Sequence, residues 1–150
     1  MTLQKRDILQ YNEEEIQIWD DILHDYFETF PERLLRTPFL MTTLWRGYFA
    51  EFNISKANEL YITSLRRYVG FDEENGIFIP EDIMDHAFPH SKKCNFFSAY
   101  IRIDNNFFDT AHQEYVVLEF ENGNLLKEHR LHKAEFEDLK SMKRVYNKCP

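Results

Sequence analysis

Two arginines and two tyrosines are the residues whose types and spacing most suggest a site. Along TTLWRGYFAEFNI, residues 42–54, the alternation of a β-strand places Arg46 on the same face as Leu44, Tyr48, Ala50, Phe52 and Ile54, the more apolar of the two. The five residues SKANE then lead into a second β-rich run, Leu60 to Val69, a connection that suits a hairpin. Pairing Ile54 with Leu60 sets Phe52 against Ile62, Ala50 against Ser64, Tyr48 against Arg66 and Arg46 against Tyr68. A checkerboard of Arg46, Tyr48, Arg66 and Tyr68 results at one end of an apolar face. A guanidinium there needs a partner, because an isolated buried charge costs on the order of several kcal/mol. One reading pairs the arginines internally, with Glu119 or Glu51 and with the tyrosine rings. The other leaves them to hold the phosphate or carboxylate of a small anionic ligand, with a histidine as base. Gly47 bears on both, since a glycine inside a strand pattern often marks a bulge, and a bulge would turn Arg46 away from the face of Phe52.

Other constellations are thinner. HAFPHSKKC sets His86, His90 and Cys94 at steps of four, a spacing at which a helix can gather metal ligands. Pro89 interrupts such a helix between the two histidines, and a fourth ligand is unassigned, so these read as loop histidines beside a half-buried thiol and no metal is expected. Ser91 and Cys94 lie near His90 in sequence, but a triad is defined by geometry and not by proximity along the chain. His129 and His132 flank Arg130 and point to opposite faces of a strand, with His112 in the preceding turn; they read as surface histidines rather than an acid and base pair. No catalytic residue is assigned and no cofactor is expected. The chain has neither a G-x-G-x-x-G nor a G-x-x-x-x-G-K-[ST] stretch.

Charge gives a stronger lead. The net charge is -8, which disfavours nucleic acid as a partner, because that binding draws on a basic stripe and counterion release. Residues 11–32 hold eight acids and no Lys or Arg, with Trp19, Tyr26 and Phe27 interleaved. Acidic rims around aromatic anchors suit capture of a cationic protein, so Glu13, Glu14, Trp19, Asp20, Asp21, Asp25 and Glu28 are the candidate partner-binding residues. The plainer alternative is a solvated helix face. From Leu125 onward seven basic residues meet four acids, a local balance of 7 − 4 = +3, so the molecule is expected to be electrostatically polar.

These residues need elements to position them. Aromatics at 16% and hydrophobic residues at 43% supply material for a core, and 150 residues suit a single domain, 1–150, burying roughly 70% of the surface of its unfolded chain. DILQY (residues 7–11) reads as a short strand, and apolar residues at 16, 19, 22, 23, 26, 27 and 30 predict a helix from Ile16 to Phe30, stopped by Pro31. After the two strands around SKANE, FDEENG reads as a turn and IFIP as an apolar run. Pro80 is then placed as the first residue of a helical turn ended by Pro89. Asn95 to Ile103 reads as a strand and DNNFFDTAHQ as a long turn. Tyr115–Phe120 and Leu125–Leu131 flank Asn122-Gly123, a strong hairpin signal that sets Phe120 against Leu125 or Leu126 according to loop length. Phe136, Leu139, Met142 and Tyr146 at helical spacing predict a C-terminal helix. The expected class is α+β: one mainly antiparallel sheet built from hairpins, with an N-terminal and a C-terminal helix. Two cysteines, Cys94 and Cys149, do not make a disulfide framework. The absence of a signal-like apolar run and of a membrane-length one makes the cytoplasm the expected location and a membrane partner unexpected.

TTLWRGYFAEFNI followed by NELYI, with DILQYN near the start and VVLEFENGNLLKE near the end, resembles a group of small bacterial proteins of unassigned activity. Those carry a T-x-x-W-R-G-Y strand, an aromatic residue six positions after the arginine, and then an L-Y strand. Phe52 stands at the aromatic position here, and the resemblance runs loosely over about Asp7 to Lys133, with WRGY as its specific part. Such proteins look like accessory or immunity-type proteins of bacterial competition systems, and the resemblance transfers no catalytic residues. The expectation from sequence is thus a non-catalytic protein-binding module, an immunity protein neutralising a basic toxin or nuclease through an acidic face. The alternative is a small anionic-ligand binder or enzyme built on the arginine and tyrosine cluster.

Overall fold

The computed structural model describes residues 4–105 and 114–149. Its first strand, β1 (Asp7–Tyr11), turns back through Asn12 and Glu13 into β2 (Glu14–Ile18). Both turn residues have positive φ, 49° and 65°, as a two-residue hairpin of the I′ kind requires. Ile16 and Ile18 alternate into the core and Trp19 is left exposed. The helix expected over residues 16–30 therefore fails in its first half, and α1 covers only His24–Thr29, burying Tyr26 and Phe27. The apolar residues at 16, 22, 23, 26 and 27 fit a helical spacing, but pairing with β1 claims the first of them for a strand.

The strand expected over residues 42–54 is also shorter. Residues 42–48 coil through two turns, with the Leu44 N–H donating to the Met41 carbonyl (3.2 Å) and the Gly47 N–H to the Leu44 carbonyl (3.1 Å). Gly47 sits at φ +82°, and a Cβ there would lie 2.8 Å from the Arg36 Cβ, so the glycine permits a turn and a close approach instead of a bulge. β3 begins after it, at Phe49, and runs to Ile54. β4 (Leu60–Asp72) pairs with β3 as the spacing predicts near the turn, Ile54 with Leu60 and Phe52 with Ile62. A bulge between Glu51 and Phe52 then shifts the ladder, so that Ala50 faces Leu65 and Phe49 faces Arg66. The expected partners of Arg66 and Tyr68 are lost by that one step.

β5 (Ile77–Asp82) pairs antiparallel with β4 and forms a free edge of the sheet. Pro80 lies inside β5 and does not start a helix; α2 is only Met84–Ala87. Tyr68, paired with Pro80, donates its N–H away from β5 to Thr37 Oγ1 (3.0 Å), while the Ile83 N–H donates inward to the Leu65 carbonyl (3.0 Å). Alternation along β5 therefore turns the Pro80 nitrogen outward, where the missing N–H costs no ladder bond. Beyond Arg66, β4 pairs with β5 alone, and the two continue as a two-stranded ribbon.

The second sheet holds β6 (Tyr100–Arg102), β7 (Tyr115–Glu121), β8 (Asn124–Leu131) and β9 (Val145–Asn147). The strand expected over residues 95–103 contracts to β6, and most of the turn expected in DNNFFDTAHQ lies outside the described residues. Asn122 and Gly123 both have positive φ and set Phe120 against Leu125, the two-residue alternative. α3 (Lys133–Lys140) starts where the His132 N–H donates to Glu135 Oε1 (3.1 Å). It stops before Met142, which is exposed, while Tyr146 is buried in β9.

The strand orders are β2-β1-β3-β4-β5 and β8-β7-β6-β9. The class is α+β, but the expectation of a mainly antiparallel sheet between terminal helices is corrected on two counts. β1 lies parallel to β3 and β9 parallel to β6, so both sheets are mixed, and the three short α-helices among the described residues are spread along the chain. The inner faces of the two sheets share one core through residues such as Leu9, Phe52, Ile62, Leu118 and Phe120, with Phe27 of α1 and Ala87 of α2 packed into it. Phe136 and Leu139 of α3 cover the far side of the second sheet at Tyr100, Tyr115 and Val117.

Candidate functional site

Parallel pairing of β1 with β3 decides what Arg46 meets. It sets Ile8 beside Glu51 and Leu9 beside Phe52, which carries Asp7 to the entrance of β3, and the turn at Gly47 delivers Arg46 to the same point. Asp7 is fully buried and accepts from Arg46 Nη1 (2.9 Å), from Arg46 Nη2 and from the Ala50 backbone N–H (2.8 Å). Arg46 Nη1 also reaches Asp21 Oδ1 (3.3 Å), and the Tyr48 hydroxyl donates to Asp21 Oδ2. The Leu23 N–H fixes Asp21 from its own loop (3.1 Å), and the guanidinium carbon stands 5.0 Å from the Tyr48 ring centroid. Two carboxylates, a guanidinium and a phenol thus close one network where β1, β3 and the loop before α1 converge.

The electrostatics follow from burial. Burial pushes the Asp7 carboxyl up from its ordinary value, opposed by the Arg46 charge and the Ala50 amide. Burial also works against the Arg46 charge, but Asp7 and Asp21 outweigh it and hold the guanidinium above its usual value. The Tyr48 phenol is raised by burial first and by the Asp21 carboxylate second, so it stays a proton donor throughout the physiological range. Beside this network opens a cleft of about 460 Å³ lined by Asp21, His24, Phe27, Glu28, Arg36 and Tyr48 among others. Arg46 forms part of its wall with its charge already matched twice. Arg46 is therefore not the free guanidinium that an anion pocket would need, while Arg36 on the same wall donates from Nε to the Arg46 carbonyl (3.2 Å).

The four-residue cluster expected from the sequence does not assemble. Arg46 and Tyr48 meet each other, but Arg66 is exposed on the outer face of the sheet, where it pairs across the ladder with Phe49 and Asp82. Tyr68 packs at a tilt against Phe49 (5.0 Å between centroids) and Phe78 (5.5 Å). The internal reading of Arg46 holds, with different carboxylates. Glu51 is exposed, and Glu119 serves the second sheet, where it accepts from Lys143 Nζ (2.9 Å) and bonds His129 Nε2 (2.8 Å). Asp7 was the missed partner; an acid at the head of the apolar run DILQY is the signal that pointed to it.

The acidic segment is divided as well. As a strand, β2 carries Glu14 about 13 Å along its axis from Ile18, at roughly 3.3 Å per residue, so Glu13 and Glu14 stand at the far end of a hairpin from Trp19. Asp20 is consumed by β9, accepting from the Asn147 N–H (2.7 Å) and Nδ2 (3.2 Å), and Asp21 by the Arg46 network. Asp25 and Glu28 remain exposed on α1, with Arg144 at 3.9 Å and His24 at 3.7 Å respectively. Trp19 is exposed and receives the Arg6 guanidinium over its ring at 3.9 Å.

His86, His90 and Cys94 do not converge. His86 bonds the Glu32 carbonyl (3.1 Å), His90 is exposed beside a cleft of about 220 Å³, and Cys94 is buried, with burial pushing its thiol up and away from reactivity. Among the described residues no group of three or more His, Cys, Asp or Glu could hold a metal ion, and no helix is long and apolar enough to cross a membrane. No family model matches the chain, and no curated protein or solved structure matches it.

Proposed function

We propose that this protein is a non-catalytic binding module that takes a basic protein partner, in the manner of an immunity protein neutralising a basic toxin or nuclease. The observation that supports the reading best is how the acids are apportioned. Asp7, Asp20 and Asp21 are spent inside the fold, while Glu13, Glu14, Asp25 and Glu28 stay at the surface with at most peripheral partners. Such solvated charge does little for stability but raises the rate at which a cationic protein arrives. Trp19 is exposed too and offers the kind of aromatic anchor that holds a complex once formed.

Affinity capture with the tagged protein from lysate of its source cells, at low and high salt, tests this. One basic protein retained at low salt and released at high salt is the expected result. The variant that carries the test is Asp25→Lys with Glu28→Lys, because reversing Asp20 or Asp21 would break the bonds to Asn147 or Arg46 and disturb the fold as well as the surface. Capture unchanged in the folded double variant would remove α1 from the interface.

A further inference from the structure

The ribbon of β4 and β5 beyond Arg66 carries more exposed apolar surface than its own fold uses. All six residues of β5 are exposed, and Ile77, Phe78 and Ile79 stand there with Phe71 of β4 and with Phe39 from the neighbouring loop. The aromatic rings form one file on the outer face of the sheet: Phe49 to Tyr68 at 5.0 Å, Tyr68 to Phe78 at 5.5 Å, Phe78 to Phe71 at 5.0 Å and Phe78 to Phe39 at 6.2 Å. Contiguous exposed apolar groups of this kind, rimmed by polar ones, mark interaction surfaces.

What covers the file is indicated by charge. From Tyr68 to Asp85 the chain has six carboxylates and no Lys or Arg. Arg67 answers Glu81 and Lys92 answers Asp85, but Glu73 and Glu74 at the tip make no ion pair among the described residues. A second copy of the chain would bring a like set of carboxylates against this one, which opposes pairing of ribbon with ribbon. Strand addition along β5 is hindered too, since the outward nitrogen of Pro80 has no hydrogen to give. The chain itself shows the complementary chemistry, for Lys5 Nζ lies 4.6 Å over the Phe49 ring at the start of the file.

We propose that the aromatic face formed by Phe39, Tyr68, Phe71 and Phe78, rimmed by Glu73 and Glu74, docks an extended segment of a partner protein in which Lys or Arg alternates with apolar residues. The cations, all on one side of the extended segment, lie over the rings and toward the carboxylates with their aliphatic stems covering the apolar face, and the alternate residues point away from it. The surface is separate from the acids of α1 and does not depend on their role.

Fluorescence polarisation of the full chain with two labelled synthetic peptides, one alternating lysine with valine and one alternating glutamate with valine, tests the assignment. The lysine peptide is expected to bind saturably and the glutamate peptide not to bind. Phe78→Ser with Phe71→Ser should weaken binding by about tenfold or more, as loss of central interface aromatics does. Glu73→Lys with Glu74→Lys should weaken it a few-fold and flatten its salt dependence, whereas Asp25→Lys with Glu28→Lys should leave it unchanged. All of these side chains are exposed, so the variants are expected to fold, which far-ultraviolet circular dichroism checks. Failure of the lysine peptide to bind, binding that survives both ribbon variants, or sedimentation showing a dimer dispersed by Phe78→Ser would each overturn the proposal, the last in favour of a second copy.

Discussion

Two regions of this molecule handle exposed and buried groups in opposite ways. Around Arg46 every charge that enters the interior is matched within the chain: Asp7 by two guanidinium nitrogens and a backbone amide, Asp21 by Arg46, the Tyr48 hydroxyl and the Leu23 amide. Along the β4–β5 ribbon, Phe71 and Phe78 stay partly open to water, and Glu73 and Glu74 at the tip make no ion pair among the described residues. Arg46 and Tyr48, which suggested chemistry, thus close the structure, while Tyr68 joins Phe71 and Phe78 on a surface that the fold leaves open. Polarity by itself does not mark function; an unmet requirement does.

The sharpest way to break this contrast is at Arg46. Arg46→Met leaves Asp7 buried without its cation, and removing one partner of such a pair costs about 3–5 kcal/mol. Urea unfolding followed by circular dichroism should show that loss; a change under about 1 kcal/mol would mean that the network is not what joins β1 to β3. A smaller effect is expected at Glu119, whose carboxyl is held below its ordinary value by the His129 hydrogen bond and by Lys143. A group lowered on folding stabilises the fold above its unfolded value and loses that contribution as pH falls through its folded value. Melting temperature should therefore drop on acidification from about pH 5 downward, and Glu119→Gln should lessen the part of the drop that this carboxylate supplies. The smallest effect is expected on the ribbon, where Phe78→Ser should change stability by within about 0.5 kcal/mol by the same urea measurement. A large loss there would make the aromatic file part of the fold and erase the contrast.

Where local chemistry decides a conformation, the sequence was a good guide. Asn122-Gly123 and the SKANE connection placed two hairpins, one of them in the right register at its turn, because φ preference and loop length act within a few residues. Where a partner distant in the chain decides, it was not. Ile16 fits a helix as well as a strand, and only β1 makes it a strand; Tyr146 continues the apolar spacing of α3, and only the parallel approach to β6 takes it away. Arg46 and Asp7 come together through the parallel pairing of β1 with β3, for which no turn or spacing gives notice. The requirement that Arg46 be paired was legible from its apolar surroundings, while the identity of the pair was not. The ribbon was hidden for another reason: IFIP looks like any core strand until the sheet is seen to end there.

Pro80 has a consequence for the company this chain can keep. An apolar strand on a free sheet edge is a template on which further chains can lay down strands, each copying the last, as fibrils grow. At Pro80 the template has a gap: an arriving strand finds a carbonyl to donate to but no hydrogen to accept, and the ladder loses a bond there. The gap weakens the edge as a template beside the open aromatic face.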